Sequence, residues 1–322
     1  MLAIQAVRAG GPEVLEAVEL PVPAPGPGQI LVRHEAIGLN FIDTYQRSGL
    51  YPMRYPAVLG QEGAGVVERL GEGVSRFKAG DRVAYNGQQG AYAEFHLVQA
   101  ARAVALPDAV NFEVAAASLL KGMTCECLVR RCHAVQPGET ILVHAAAGGV
   151  GSLLVQWGKA IGAAVIGTVG SAEKAAFVRE LGCDHVILYR DEDVAARVKE
   201  ITAGKGVSVA YDSVGKDTFE GTLNSLARRG LFVSFGNASG PVPAFEPLRL
   251  MRGGSLYMTR PTLYDYTTTP EELDESSGQL FAMIASGKLR IEIGQRFKLA
   301  DARAAHQALE GRGTIGATVL LP

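Results

Sequence analysis

Short apolar runs separated by turn residues make up the chain from residue 1 to about residue 120. Residues 29–34 and 65–70 have the β-branched and alternating pattern of strands, and residues 80–85 read as a turn that leads into another strand. Proline and glycine are concentrated at residues 21–28, where they indicate a loop. The pattern predicts a first region that is mostly β, with compact turns and few helices.

From about residue 112 to about residue 260, apolar runs of strand length alternate with amphipathic stretches. The first of these stretches puts five apolar side chains on one helical face: Val150, Leu153, Leu154, Trp157 and Ile161. Asp191 or Asp193 is the candidate N-cap of a later helix. The predicted strands are residues 140–145, 164–169, 185–189, 207–212, 230–235 and 255–259. Six strands with helical crossovers predict an α/β region built on a doubly wound, parallel Rossmann sheet.

After Pro261 a loop rich in tyrosine and threonine leads into two more helical stretches, residues 270–286 and 300–309, and a last strand at residues 316–321. A tail that follows a complete set of six strands is expected to pack back on the first region. The predicted domains are therefore 1–120 plus 261–322, and 121–260.

The composition argues against several functional classes, namely nucleic-acid-binding, membrane and secreted proteins. The 322 residues include 31 basic and 33 acidic side chains, so the net charge of -2 gives no reason to expect nucleic acid or an anionic membrane as a partner. No apolar run is long enough to span a membrane, and the N-terminus alternates like a strand instead of resembling a signal peptide. Four cysteines are too few for a disulfide framework, and we expect a reducing, cytoplasmic setting.

Three of these cysteines, Cys125, Cys127 and Cys132, precede His133 and could suggest a metal site. Their spacing lacks the paired ligands of zinc sites. In a helix, Cys125 and Cys132 would share one face while Cys127 would point elsewhere. We therefore expect buried cysteines that act as small apolar residues, and no metal.

A glycine-rich turn follows the strand predicted at residues 140–145 and opens the next helix. It matches the pattern Ala-x-Gly-x-x-Gly from Ala146, so alanine replaces the first glycine of the common fingerprint. Glycines at such a turn let the backbone approach a pyrophosphate, and the helix N-terminus provides unpaired N–H groups. The sequence therefore predicts a dinucleotide site at Ala147, Gly148, Gly149, Val150 and Gly151.

The next strand indicates which dinucleotide binds. An NAD site needs an acidic residue about 20 residues after the glycine-rich turn, to bind the ribose hydroxyls. Here the strand ends in Gly170 and Ser171, and Lys174 follows in the first helical turn. A hydroxyl, an ammonium group and a helix N-terminus suit a 2′-phosphate, which predicts NADPH. The alternative is that Ser171 is an ordinary N-cap and Lys174 a solvated lysine.

Longer motifs carry a resemblance to a known family. They are AIGLNFIDTY at residues 36–45, RSGLYP at 47–52, HAAAGGVG at 144–151, YDSVG at 211–215 and VSFGN at 233–237. The chain resembles, over essentially its whole length, the zeta-crystallin-like quinone oxidoreductases of the medium-chain dehydrogenase/reductase superfamily. The resemblance implies a GroES-like, partly open β-barrel domain, a Rossmann domain, and reduction of quinones by NADPH in a cleft between them.

Zinc-dependent members of this superfamily bind the metal through cysteine and histidine in the first domain. Where they have a ligand cysteine this chain has Asn40, and their Gly-His-Glu motif is replaced by Gly-Gln-Glu with Gln61. An amide is a poor zinc ligand, and residues 85–95 contain no cysteine for a structural zinc. We therefore expect a zinc-independent enzyme.

The resemblance also implies the catalytic residues. Asn40, Asp43, Tyr45 and Tyr51 correspond to positions where nicotinamide and substrate meet, and Phe41 to a cofactor contact. Asn40 and Tyr45 are candidate donors to a quinone oxygen as charge develops there. Asn40 and Asp43 could instead serve as caps of a helix, and this role is compatible with catalysis.

Further NADPH contacts and a homodimer rest on the resemblance alone. The implied contacts are Thr124 near the nicotinamide, Tyr189 with Ser171 and Lys174 at the 2′-phosphate, and Ser213, Phe235, Gly236, Asn237 and Arg312. Alone, Tyr189 could be a core-edge aromatic and Arg312 a surface charge. The implied dimer pairs the edge strands at residues 255–259.

Two other functions remain open at this point. The same fold and cofactor would serve reduction of the double bond of a 2-alkenal or enone. A protein that keeps NADPH but acts as a structural or RNA-binding, crystallin-like protein is the alternative outside enzymes, and the balanced charge argues against RNA.

Overall fold

The computed structural model describes all residues, Met1–Pro322. The chain divides into two compact units: Met1–Met123 together with Thr267–Pro322, and Thr124–Tyr266. None of the helices combines the length and the apolar character needed to cross a membrane.

The first unit begins with eight strands: β1 (Leu2–Ala6), β2 (Leu15–Glu19), β3 (Gln29–Leu39), β4 (Ala57–Val58), β5 (Glu62–Leu70), β6 (Arg82–Asn86), β7 (Phe95–Gln99) and β8 (Ala103–Ala105). Helix α1 (Phe41–Ser48) lies between β3 and β4. Helix α2 (Phe112–Glu126) leads into the second unit and continues as a π-helical turn, Cys127–Cys132. The β-rich character that the sequence pattern predicts for this region is confirmed.

The second unit alternates strands and helices. Its strands are β9 (Thr140–Val143), β10 (Ala164–Val169), β11 (His185–Leu188), β12 (Val207–Asp212), β13 (Leu226–Ser234) and β14 (Tyr257–Thr259). Its helices are α3 (Gly149–Ile161), α4 (Ala172–Glu180), α5 (Val194–Ile201), α6 (Phe219–Ser225) and α7 (Leu248–Arg252). All pairs in the sheet are parallel, in the order β11-β10-β9-β12-β13-β14, which confirms the predicted six-stranded Rossmann sheet.

Two strand boundaries differ from the pattern. Strand β9 ends at Val143, because Ala145 adopts a left-handed conformation (φ 50°) and turns the chain toward α3. Strand β13 begins at Leu226, ahead of residue 230. The sequence pattern misses this start because Arg228 and Arg229, which face solvent, separate the buried Leu226 from the apolar run that follows. Asp193 is the N-cap of α5, where its side chain accepts from the Ala196 N–H.

The tail completes the first unit with α8 (Pro270–Ala285), β15 (Ile293–Lys298), α9 (Ala302–Glu310) and β16 (Ala317–Leu321). A seven-stranded sheet has the order β15-β16-β3-β5-β6-β8, and β7 also pairs with β3. A separate three-stranded sheet has the order β2-β1-β4. Strand β3 pairs with β7 near its start and with β16 near its end, and its pairing with β5 is interrupted by bulges. Such a strand lets the sheet curl, as expected for the GroES-like, partly open barrel.

Candidate functional site

Asn40 lies where β3 ends and α1 begins, and it is the N-cap residue of α1. Its side chain is buried, and its Nδ2 donates to Glu62 Oε2 at 2.8 Å. Glu62 also accepts from the Leu120 backbone N–H at 2.6 Å and from Lys121 Nζ at 3.3 Å. A side chain at Gly38 would come within 2.2 Å of Glu62 Oε2, so glycine is needed there. The orientation of the Asn40 amide is therefore fixed by a buried ion pair.

Asp43 is completely buried in the first turn of α1. Its Oδ2 accepts from the Asn40 backbone N–H and from the Tyr92 hydroxyl, both at 2.9 Å, and its Oδ1 has no hydrogen-bond partner. Burial raises the pKa of Asp43 from 3.8 to about 7, although the hydrogen bonds from Asn40 and Tyr92 and the charge of Lys121 act in the opposite direction. Asp43 therefore holds the backbone of Asn40 and does not itself face solvent.

A chain of buried hydrogen bonds continues from Tyr92 to the last helix of the unit. The Tyr92 hydroxyl is 3.0 Å from His306 Nε2, and Arg47 Nη1 donates to His306 Nδ1 at 2.9 Å. Since Nδ1 accepts, the neutral imidazole carries its hydrogen on Nε2 and donates to Tyr92, which in turn donates to Asp43. Burial, followed by the charge of Arg47, lowers the pKa of His306 to about 3. Arg47 is also paired with Glu310 through both Nη atoms, at 3.0 and 2.6 Å.

Three half-buried aromatic rings follow Asn40 on and after α1. The centroids of Phe41 and Tyr45 are 6.2 Å apart, and those of Tyr45 and Tyr51 are 5.3 Å apart. The Tyr51 backbone N–H donates to the Tyr45 carbonyl at 3.1 Å. Helical spacing and this closing turn therefore bring all the predicted catalytic residues of the first unit into one segment.

In the second unit, the glycine-rich turn joins β9 to α3, with Gly148 as the N-cap of α3. A Cβ atom at Gly151 would lie 2.2 Å from the Ala145 carbonyl oxygen, whereas one at Gly148 would lie 3.2 Å from the same oxygen. Gly151 thus allows close packing of helix on turn, and Gly148 leaves the first amides of α3 open to an anion. Ala147, Gly149 and Val150 lie in the same turn or in the first turn of the helix.

The end of β10 brings together the residues predicted for the 2′-phosphate. Ser171 is the N-cap of α4, and its hydroxyl accepts from the Lys174 backbone N–H at 3.3 Å. The Tyr189 hydroxyl lies 2.7 Å from where a Gly170 Cβ would be, and Arg190 Nε lies 3.4 Å from it. Burial and the charge of Arg190 lower the pKa of Lys174. Two cations therefore lie beside a helix N-terminus.

The other predicted cofactor residues fall at separate places. A Cβ at Gly236 would meet the Ser213 carbonyl oxygen at 2.4 Å, so Ser213 and the Phe235–Gly236–Asn237 segment adjoin at the ends of β12 and β13. Thr124 lies in α2 at the start of the second unit. Arg312, in the first unit, is exposed in the turn after α9 and adopts a left-handed conformation (φ 56°).

The expectation for the cysteine faces was wrong. Cys127 Sγ and Cys132 Sγ are 3.7 Å apart, because residues 127–132 form a π-helical turn. In such a turn, residues five apart share a face. Cys125 and Cys127 are buried, Cys132 is half-buried, and all four cysteines of the chain are free thiols. No group of three or more histidine, cysteine, aspartate or glutamate side chains is placed to hold a metal ion.

Several neighbours of the site escaped the sequence analysis. Lys121 is the single basic residue of α2 and directly follows the apolar pair Leu119 and Leu120, a pattern that could have drawn attention to it. Arg190 directly follows Tyr189, so the sequence could have indicated a second cation beside Lys174. Tyr92 and His306 lie far from Asp43 in the sequence, and no local pattern links them.

Comparison with known proteins agrees with this arrangement. The profile of the alcohol dehydrogenase GroES-like domain matches residues 26–108, and that of the zinc-binding dehydrogenases matches residues 149–277. The quinone oxidoreductase of Salmonella typhimurium is 54% identical over 317 residues, which is 97% of each chain.

A 2-haloacrylate reductase of a Burkholderia species is 43% identical, over 98% of this chain and 97% of that protein. The solved structure of Escherichia coli quinone oxidoreductase complexed with NADPH superposes with a TM-score of 0.98 at 51% identity, and the match covers all of both chains. Likeness of this extent covers both units and the motifs of the site. The chain belongs to the quinone oxidoreductase family of the medium-chain dehydrogenase/reductase superfamily.

Proposed function

We propose that this protein is an NADPH:quinone oxidoreductase. The observation that carries the proposal is the pair of cations, Lys174 and Arg190, at the capped N-terminus of α4, where an NAD site would have an acid. Burial, followed by repulsion from Arg190, lowers the pKa of Lys174, and a dianion such as the 2′-phosphate would relieve the repulsion. The E. coli relative bound to NADPH supports the same cofactor.

The residues of the second unit fit the rest of the cofactor. The absence of a side chain at Gly148 leaves the start of α3 accessible to a pyrophosphate, which the N–H groups of a helix N-terminus can bind, and Gly151 lets the helix pack against the turn. Thr124, Ser213, Phe235, Gly236 and Asn237, with Phe41 and Arg312 of the first unit, are the proposed contacts of the remaining groups. When bound, NADPH supplies a hydride.

Asn40 and Tyr45 are the proposed donors to the quinone. One Nδ2 hydrogen of Asn40 is held by Glu62, and the second remains to donate to a bound oxygen atom. A quinone that takes up one hydride and one proton leaves the site as a hydroquinone. Donors that are already oriented stabilise the negative charge that develops on its oxygen. The rings of Phe41, Tyr45 and Tyr51 provide an apolar surface for a planar substrate.

Asp43 acts on the reaction through Asn40. It is completely buried and bonds to the Asn40 backbone, so we assign it a positioning role instead of contact with the substrate. Tyr92, His306 and Arg47 support it from behind.

The two positions at which zinc-dependent relatives have ligands carry amides with protein partners. Asn40 donates to Glu62, and Gln61 Nε2 donates to Gln46 Oε1 at 3.0 Å. Amides are weak zinc ligands, so the chemistry of this site rests on hydrogen bonding and orientation. Zinc-independent activity remains a prediction, and turnover that is unchanged after dialysis against a chelator is its test.

Steady-state oxidation of NADPH tests the function. We expect turnover of benzoquinone and naphthoquinone, with NADH a much poorer reductant. The second candidate, reduction of an activated double bond, is favoured by the likeness to a 2-haloacrylate reductase. Faster turnover of 2-alkenals or enones than of any quinone would establish that candidate instead.

We further propose a homodimer formed through β14, the edge strand of the Rossmann sheet. Tyr257 and Met251, each 60% exposed, and Leu248, 45% exposed, form an apolar surface on β14 and the preceding helix α7. An edge strand with unpaired backbone groups and apolar neighbours suits pairing with a second copy. A monomeric mass at micromolar concentration in analytical ultracentrifugation would contradict it.

Four free thiols and the absence of disulfides support a cytoplasmic location, which cell fractionation tests. The net charge of -2 argues against RNA as a principal ligand. Saturable RNA binding at physiological salt would favour the crystallin-like alternative.

A further inference from the structure

The π-helical turn at Cys127–Cys132 has no part in the proposed reaction, yet it brings two thiols together. In an α-helix, residues five apart point in different directions. The wider turn here, closed by the His133 N–H donating to the Leu128 carbonyl at 3.2 Å, places Cys127 and Cys132 on the same side. Their sulfur atoms are 3.7 Å apart and would have to approach to about 2.0 Å to form a disulfide.

Tyr266 completes the cluster. Its hydroxyl lies 3.4 Å from Cys132 Sγ, and its carbonyl oxygen accepts from Arg131 Nη1 at 3.0 Å. As a thiolate, Cys132 can accept from the Tyr266 hydroxyl and from the Cys127 S–H. Two hydrogen bonds to one sulfur favour its charged form over that of its neighbour.

The two thiols are therefore unequal. The hydrogen bond from Cys127, followed by that from Tyr266, lowers the pKa of Cys132 to about 7, against the effects of burial and of the charge of Glu126. The same hydrogen bond and burial raise the pKa of Cys127. Cys132 is half-buried, whereas Cys127 is buried. The more accessible thiol is thus also the one that ionises first, the combination that makes a cysteine reactive.

We propose that Cys132 and Cys127 form a redox-active pair that is oxidised by hydroperoxides to an intramolecular disulfide. The Cys132 thiolate attacks the peroxide oxygen, the O–O bond breaks, and sulfenic acid and hydroxide form. The Cys127 thiol then displaces the sulfenic hydroxyl as water, with loss of its proton. Two electrons pass from the sulfur pair to the peroxide, and a dithiol reductant returns the pair to the reduced state.

The other two cysteines serve as internal controls. Cys125 donates to the Val150 carbonyl at 3.4 Å, and burial raises its pKa well above the ordinary value. Cys183 donates to the carbonyls of Val165 and His185, and its pKa is raised to about 11, mainly by burial. Both should stay reduced under conditions in which the pair is oxidised.

The test treats the full-length protein with hydrogen peroxide under native conditions, blocks the remaining thiols with iodoacetamide, and identifies the products by tandem mass spectrometry. We expect a disulfide linking Cys127 to Cys132, removable by dithiothreitol, with Cys125 and Cys183 alkylated only after unfolding. Cys127→Ser should leave a sulfenic acid on Cys132 that dimedone traps, and Cys132→Ser should abolish the reaction. Cys183→Ser is the matched control and should behave as the native chain.

The rate of alkylation of Cys132 should rise with pH around a midpoint of about 7. Two results would overturn the proposal: a native protein in which both thiols stay reduced after peroxide treatment, or oxidation that yields only irreversible acids or intermolecular disulfides. Because peroxide oxidation needs neither NADPH nor quinone, this test does not depend on the proposed function.

Discussion

Replacing Asp43 with asparagine tests the electrostatic role of the buried carboxyl group behind Asn40. The asparagine oxygen can accept the same two hydrogen bonds, from the Asn40 N–H and the Tyr92 hydroxyl. Its NH₂ group takes the place of Oδ1, which has no partner. A buried donor without an acceptor costs about 1–3 kcal/mol at every pH. The substitution therefore keeps the geometry, adds a constant cost and removes the titration.

The size of the titration effect follows from the pKa. Between 3.8, the ordinary value, and about 7 in the folded protein, the folded chain holds a proton that the unfolded chain has lost. The free energy of unfolding that Asp43 contributes is therefore complete at low pH and falls as the pH rises through this window. At about 1.4 kcal/mol per pH unit the total loss is about 4 kcal/mol, of which about 3 kcal/mol falls between about pH 5 and pH 8.

Buried histidines have the opposite effect and must be separated from it. Burial lowers the pKa of His34 and His306 to about 3 and that of His96 to about 4, so they remove stability as the pH falls below 6.5. They are present in both proteins, and their effect cancels in the difference between native and Asp43→Asn. The groups facing Asp43, namely Lys121, Glu62 and Tyr92, are likewise unchanged.

Urea titrations followed by far-UV circular dichroism measure this difference across the pH range. Between about pH 5 and about pH 8 the difference in the free energy of unfolding should move by about 3 kcal/mol in favour of the variant. A difference between native and Asp43→Asn that stays constant with pH would refute the reasoning.

Three further substitutions address the site. Gly151→Ala should weaken NADPH binding by at least about tenfold or prevent folding, because the new Cβ would lie 2.2 Å from the Ala145 carbonyl oxygen. Fluorescence titration measures the affinity for NADPH. Gly148→Ala should weaken binding less, since its Cβ would lie 3.2 Å from the same oxygen. Lys174→Ala should raise the KM for NADPH by about tenfold or more, because the loss of one hydrogen bond to a charged group changes the binding free energy by that amount. An equal rise in the KM for NADH would show that the lysine does not bind the 2′-phosphate. Tyr45→Phe should lower kcat by about tenfold without changing the affinity for NADPH; unchanged turnover would exclude the hydroxyl from the reaction.

The Rossmann unit could be predicted from sequence because its central strands, β9, β10 and β12, are almost entirely buried. Each strand is then a short apolar run, and each crossover helix shows one apolar face, as Val150 and Trp157 do in α3. The glycine-rich turn and Ser171 were readable for a similar reason, since local backbone needs determine these residue types. The end of β9 was missed because Ala145, though apolar, adopts a left-handed conformation.

Contacts between segments that are distant in the sequence could not be predicted from local patterns. Arg47 and His306 are 259 positions apart and meet only because α1 and α9 belong to the same unit. The approach of Cys127 to Cys132 depends on a π-helical turn, which no local sequence pattern predicts. Glu62 lies in a motif that was recognised, but its pairing with Lys121 depends on how α2 passes β5.

The most direct test of the central claim is the stoichiometry of the reaction in the absence of oxygen. The protein is mixed with limiting NADPH and excess naphthoquinone, and the products are separated by chromatography. We expect one hydroquinone for each NADPH consumed, at a rate far above that of the uncatalysed mixture and far above that with NADH. Oxidation of NADPH without formation of hydroquinone, or equal rates with NADH, would contradict the assignment of this protein as an NADPH-dependent quinone reductase.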